Sequence, residues 1–151
     1  MFDHLEVVDY GDAIVSHGMW ELSKAAIFDR VAEVASRGII PVIIGGDHSI
    51  TWPAATAVAD FHGHGNVVMI HFDAHADTGD IEFGSLWGHG QPMRRLIESG
   101  ALRGDRFLQM GLRGYWPPPE TLDWMAQQRM RSYEMTEIGR ASCRERVCSV
   151  V

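Results

Sequence analysis

The chain has 151 residues, 46% of them hydrophobic and 22% charged, which suits one soluble folded unit with a real core. Its formal net charge of −7 argues against a nucleic-acid surface, which needs clustered Lys and Arg, and leaves room for cationic substrates. The amino-terminal "MFDHLEVVDYGD" lacks a cationic start and an apolar stretch, and no apolar run nears the roughly 18 residues of a membrane span, so a cytoplasmic location without a membrane partner is expected. Cys143 and Cys148, the only cysteines, are too few and too local for a disulfide framework or a four-ligand zinc site.

In chain order, "LEVVDYG" reads as a short strand, and residues 22–36 as a helix carrying Leu22, Ile27, Val31 and Val34 near helical spacing, with Gly38 just beyond its end. "PVII" at 41–44 reads as a buried strand, opened by Pro41 because proline cannot donate to an interior ladder. "GGDHS" breaks it. A helix capped by Ser49 or Thr51 is expected through Asp60, then a turn at "HGHGN" and a strand over 67–72. Further on, 92–99 reads as a helix, 107–110 as a strand, about 121–131 as a helix, and "RSYEM" as the start of a last strand. Strands alternating with helices imply a parallel sheet covered on both faces, with ligands bound outside the carboxyl ends of the strands. Both polar clusters, "GGDHS" and "DAHADT", fall at such ends.

Asp73, His75 and Asp77 alternate with small or neutral residues, and an extended segment would turn all three to one side. His48, at the end of a neighbouring strand, can supply a fourth group. Carboxylate oxygen mixed with imidazole nitrogen suits Mn(II) or a similar divalent ion better than a thiolate-preferring metal. One aspartate could bridge two ions roughly 3.5–4 Å apart, a spacing that activates water near neutral pH. Carboxylates crowded at a strand end repel one another unless a cation neutralises them, which favours a metal site over a group of capping residues. His71 is expected to face the other way, as a supporting or core histidine.

"GGDHS" followed by "HFDAHADT" resembles the first two metal motifs of the ureohydrolase family, the arginases, agmatinases and related guanidino-hydrolases. The resemblance implies a three-layer α/β/α domain with a mostly parallel sheet, here incomplete, a dinuclear Mn2+ centre, and hydrolysis of a guanidino compound to urea and an amine. It also implies that His48 and Asp77 bind one manganese, that His75 binds the other, and that Asp73 bridges them. "WGHGQP" at 87–92 is similar to the family segment carrying a proton-shuttle histidine, which falls on His89. An imidazole there suits protonation of a leaving amine. "MRRLIESGAL" and "QMGLRG" extend the match.

Arginases hold the amino-acid end of arginine with an asparagine two positions after the last aspartate of this motif and an acidic residue soon after "GLR". Gly79 and approximately Trp116 stand there, which disfavours arginine and points to agmatine, cleaved to putrescine and urea as in bacterial agmatinases. Tyr115 and Trp116 serve equally well as packing residues. The resemblance covers about residues 5 to 139; the second "DxD" motif and the acidic residue that clamps the guanidinium have no counterpart. The expected organisation is therefore a partial ureohydrolase domain over 1–139 and a foreign tail over 140–151. The chain is expected to be inactive by itself, and the full-length form to be a homo-oligomer. Two other readings remain. His71, Asp73 and His89 could form the 2-His-1-carboxylate triad of non-haem iron oxygenases, although that triad sits in an antiparallel fold. Alternatively the chain is a non-catalytic metal-binding or scaffold element.

Overall fold

The computed structural model describes residues 4–115 and 117–138. Trp116, both cysteines and the 140–151 tail lie outside the described residues. Three parallel strands, β1 (Met69–Phe72), β2 (Phe107–Leu112) and β3 (Arg131–Glu134), pair in the order β1-β2-β3. The helices are α1 (Trp20–Ala35), α2 (Thr51–His62), α3 (Pro92–Glu98), α4 (Pro119–Gln127) and the single turn α5 (Met135–Ile138).

Local sequence accounts for the helix ends. In α1 the residues Ser23, Ile27, Val31 and Ala35 recur every four positions, so they form one buried stripe. That stripe meets Ala54 and Ala57 of α2, small residues that let the two axes approach closely. Asp47 accepts the Ser49 backbone N–H at 2.9 Å and starts the 3-10 turn His48–Ile50 that leads into α2. α3 and α4 each open on a proline, whose missing N–H costs nothing in the first turn. α4 stops at Gln127, four residues before the sequence-based boundary. Arg129 adopts a left-handed φ of 59°, and the Met130 N–H closes back on the Met125 carbonyl at 3.1 Å, ending the helix in a Schellman turn.

The main core lies between α2, α3 and one face of the sheet: Ala59, Met93, Leu96, Ile97, Ala101, Leu102 and Phe107. Phe107, 1% exposed, is its largest member. Phe107→Ala is expected to lower stability by about 3–5 kcal/mol, read by chemical denaturation; a loss under about 1 kcal/mol would mean the cavity refills.

Two strand expectations fail. Residues 5–11 and 41–44 pair with no strand among the described residues, and Ile40, Val42 and Ile44 are 86%, 84% and 94% exposed. β-propensity requires a partner edge to become a ladder, and neither segment has one. The three-layer α/β/α architecture is correspondingly incomplete. Helices cover the face bearing His71 and Phe107, while Ile70 and Phe72 on the opposite face are 54% and 75% exposed. The parallel pairing opposes the iron-oxygenase reading, which needs an antiparallel fold.

Candidate metal centre

The carboxyl end of β1 is shaped by its neighbour. β2 breaks register between Met110 and Leu112, and Gly111 there has a φ of 106°. A Cβ on Gly111 would sit 3.1 Å from the Asp73 carbonyl oxygen, so glycine lets the end of β1 lie close against β2. The Asp73 N–H donates to the Met110 carbonyl and the Arg113 N–H to the Ala74 carbonyl, fixing the first two loop residues.

Beyond Phe72 the chain stops being extended. The Asp73 carboxylate accepts the His75 backbone N–H at 2.9 Å, and Asp77 takes a left-handed φ of 50°. Aspartate tolerates that conformation better than most residues, and such backbone clusters at functional sites. The bend aims the Asp77 side chain, 11% exposed, at the Nδ1 of His48 on the 3-10 turn before α2, and the two are hydrogen-bonded. His48, His71, Asp73 and Asp77 present ligand atoms all within 4.8 Å of one another.

Of the four expected ligands, three therefore converge. His75 stands beside the group: its Nδ1 is 3.6 Å from Asp73 Oδ1, and its side chain is 63% exposed. The period-two expectation fails for it because residues 73–77 turn. It fails differently for His71, which was expected on the opposite face. An even spacing puts His71 and Asp73 on the same side of β1, and His71 is a buried member of the cluster, its ring stacked on that of His48 at 5.2 Å.

No lysine or arginine pairs with Asp47, Asp73 or Asp77 among the described residues; their ionic partners are histidines. Two carboxylates facing imidazoles, with no fixed positive charge between them, match the oxygen and nitrogen donors of a hard divalent ion. The hydrogen bond to Asp77 holds the His48 proton above the usual histidine range, against the effect of burial. Burial pushes the Asp73 carboxyl up, but the His75 N–H and the surrounding imidazoles outweigh it and hold the carboxyl below its usual range. The Ser49 hydroxyl does the same for Asp47.

These directions fix a pH dependence. A raised histidine pKa stabilises the metal-free fold below the ordinary histidine range, and that contribution disappears as pH rises through the raised value. An ion on His48 must displace the same proton. Mn(II) affinity is expected to fall about tenfold per pH unit once pH drops below the raised His48 pKa, measured by equilibrium dialysis. Affinity independent of pH between about 8 and 5 would refute the involvement of His48.

His89 occupies the loop between Gly79 and Gln91, exposed and within electrostatic reach of Asp47. The Gly79 N–H donates to the Gly90 carbonyl at 3.0 Å, and the Gln91 amide to the Ser85 carbonyl at 3.2 Å. Trp87, two residues before His89, stacks on Trp52 of α2 at 4.8 Å and 11°, with the Lys24 ammonium 4.8 Å above the Trp52 ring. The loop is thus tied to the helix that begins just after His48. Sequence reasoning missed this pairing, because nothing in the separation of Trp52 and Trp87 signals a contact. An open cleft of about 480 Å³, lined among others by Asp73, His75, Met110 and Arg113, adjoins the centre.

A model of the arginase family matches residues 1–150. The chain belongs to the arginase family. The mitochondrial agmatinase of Gallus gallus is 40% identical to it over 125 residues, 82% of this chain and 36% of that protein. The guanidinobutyrase of Pseudomonas aeruginosa is 35% identical over 136 residues, 90% of this chain and 42% of that protein. The proclavaminate amidino hydrolase structure from Streptomyces clavuligerus superposes with a TM-score of 0.80 at 30% identity, covering 92% of this chain and 46% of that one. The chain spans less than half the length of these relatives. No helix among the described residues is long and apolar enough to cross a membrane.

Proposed function

We propose that this chain contributes part of the dinuclear manganese site of a guanidino hydrolase whose full-length form converts agmatine to putrescine and urea. One observation carries the reading: His48, Asp73 and Asp77 converge at the carboxyl end of a parallel sheet, with no lysine or arginine among the described residues ion-paired to the aspartates, in a chain of the arginase family. In this reading His48 and Asp77 would hold one ion, His75 would hold the other, and Asp73 would serve both. Manganese supplies Lewis acidity that makes water a nucleophile near neutral pH.

The remaining work falls to the chain's own groups. Asp73 keeps its orientation through the His75 N–H. His89 holds a proton for the departing amine, and the Trp87–Trp52 stack limits how far its loop can swing. A cytoplasmic setting and a homo-oligomeric full-length form go with this reading.

Agmatine is favoured over arginine because Gly79 carries no side chain that could hold the amino-acid end; a Cβ there would press on the movable Glu82 carboxylate and sit 3.1 Å from the Gly90 carbonyl. A site without a partner for the amino-acid end discriminates against it. Trp116, the other position bearing on substrate, lies outside the described residues. A second reading has its own support: Arg113 lines the cleft, and its charge suits a guanidino acid.

The Mn(II)-loaded full-length protein, assayed for urea, is expected to show a higher kcat/KM for agmatine than for arginine. A higher value for arginine refutes the substrate assignment, and a higher value for 4-guanidinobutyrate than for agmatine selects the second reading. Release of urea from none of the three refutes the hydrolase.

A further inference from the structure

His71, Gln109 and Ser132 form one row across the sheet, paired in register from β1 to β2 and from β2 to β3. Gln109 is fully buried and His71 nearly so. A buried amide must satisfy its donors and its acceptor inside the protein. Gln109 Oε1 accepts from the Ser132 hydroxyl at 3.3 Å. Its Nε2 donates to the Ala76 carbonyl at 2.6 Å and lies 3.2 Å from His71 Nδ1. A backbone carbonyl can only accept, so the amide nitrogen, not its oxygen, has to face Ala76. That settles which way the amide points. Its second N–H is then left for His71 Nδ1, which must offer a lone pair. In a neutral imidazole the proton consequently sits on Nε2.

Nε2 is the atom that looks toward Asp73. It makes no hydrogen bond, and Asp73 Oδ2 lies 3.4 Å away. Judged by proximity alone, His71 would count as a fourth ligand beside His48, Asp73 and Asp77. A protonated nitrogen has no lone pair to give a metal. We propose that His71 is not a ligand but a positioning residue, whose Nε2–H is aimed at Asp73 Oδ2 and whose tautomer is set by the Ala76–Gln109–Ser132 chain. This rests on the manganese reading given above. A contraction from 3.4 Å to about 2.9 Å would give an ordinary charge-assisted hydrogen bond. The ring is held for that approach by stacking on His48 and by the edge-on contact with Phe107 at 6.0 Å. Donors behind a ligating carboxylate fix its orientation, and losing one typically weakens metal binding roughly ten- to a hundredfold.

The test uses the chain with 15N-labelled histidine and long-range 1H–15N correlation, with His71 assigned through its contact with the Phe107 ring. The expected pattern is an Nε2–H tautomer, retained when Zn(II), a diamagnetic probe, is added. An Nδ1–H tautomer, or loss of the Nε2 proton on adding Zn(II), overturns the assignment. Gln109→Met is expected to mix the tautomers and to weaken Mn(II) binding about tenfold. Ser132→Ala, a milder change in the same chain, is expected to shift both in the same direction and serves if Gln109→Met does not fold. Unchanged tautomer and affinity in both variants overturn the proposal. His71→Leu should lose affinity that His71→Gln, which keeps a donor at similar reach, largely restores; equal losses in the two also overturn it. Full-length protein with the Nε2–H tautomer but no affinity for Zn(II) or Mn(II) would sink the metal reading and leave the tautomer assignment standing.

Discussion

Asp73→Asn in the full-length protein is expected to weaken Mn(II) binding by more than the roughly ten- to hundredfold typical of outer-shell changes, and to reduce urea release at least in proportion. Asparagine has nearly the same shape, so the Asp73 N–H bond to Met110 and the acceptor for the His75 N–H can both survive. Only the charge is lost. Among the described residues that charge has no lysine or arginine ion-pair partner, and its neighbours are the His71 ring at 3.4 Å and the His75 ring at 3.6 Å. Between two ions, an aspartate in this place would contribute to both, so one substitution touches the whole centre. Metal content by elemental analysis, with circular dichroism as a check on folding, measures the effect. A folded Asp73→Asn protein that keeps two tightly bound ions would show that Asp73 lies outside the metal centre.

Helices were easy to read in this chain because their signals are local. Ile27 and Val31, the prolines at Pro92 and Pro119 and the left-handed Gly38 all act within a few residues, whereas Leu22 of the expected spacing is 53% exposed and Ser23 and Ala35 complete the buried stripe. Strands depend on partners that a local pattern does not supply. "PVII" has the composition of a buried strand, yet no edge lies beside it among the described residues, and its side chains are open to solvent. The same contrast runs through the candidate site. His48, Asp73 and Asp77 were legible as a group because their chemistry is costly without a cation. His75 was displaced from that group by a turn, held by Asp73 itself, that a period-two reading cannot contain. His71 was readable after all, since its even spacing from Asp73 puts both on one side of the strand. Gln109 also left a signal, a polar residue in the apolar run "FLQMGL", and an isolated buried polar group usually has an assigned partner.

Supplied with excess Mn(II), the chain by itself is expected to bind well under two ions and to release little or no urea from agmatine. The reason is the number of donors. Manganese prefers about six oxygen or nitrogen ligands, whereas the described residues offer His48, Asp77, a shared Asp73 and the outlying His75 to two ions. His71 adds nothing if its Nε2 carries a proton. The ion on the His75 side would have one imidazole and part of one carboxylate, too little to hold it against water at ordinary concentrations. Orientation is lacking as well, because the cleft beside Asp73 is open, and among the residues lining it only Asp73 is a carboxylate that could face a guanidinium. A third effect compounds these. The exposed Ile70 and Phe72 and the unpaired 41–44 segment present apolar surface and free edge that favour association over a stable monomer. Equilibrium dialysis with Mn(II), a colorimetric urea assay and light scattering on the same preparation test all three. Two tightly held ions per chain, or urea released at a rate typical of an enzyme, would show that these few residues complete more of the site than their donors can account for.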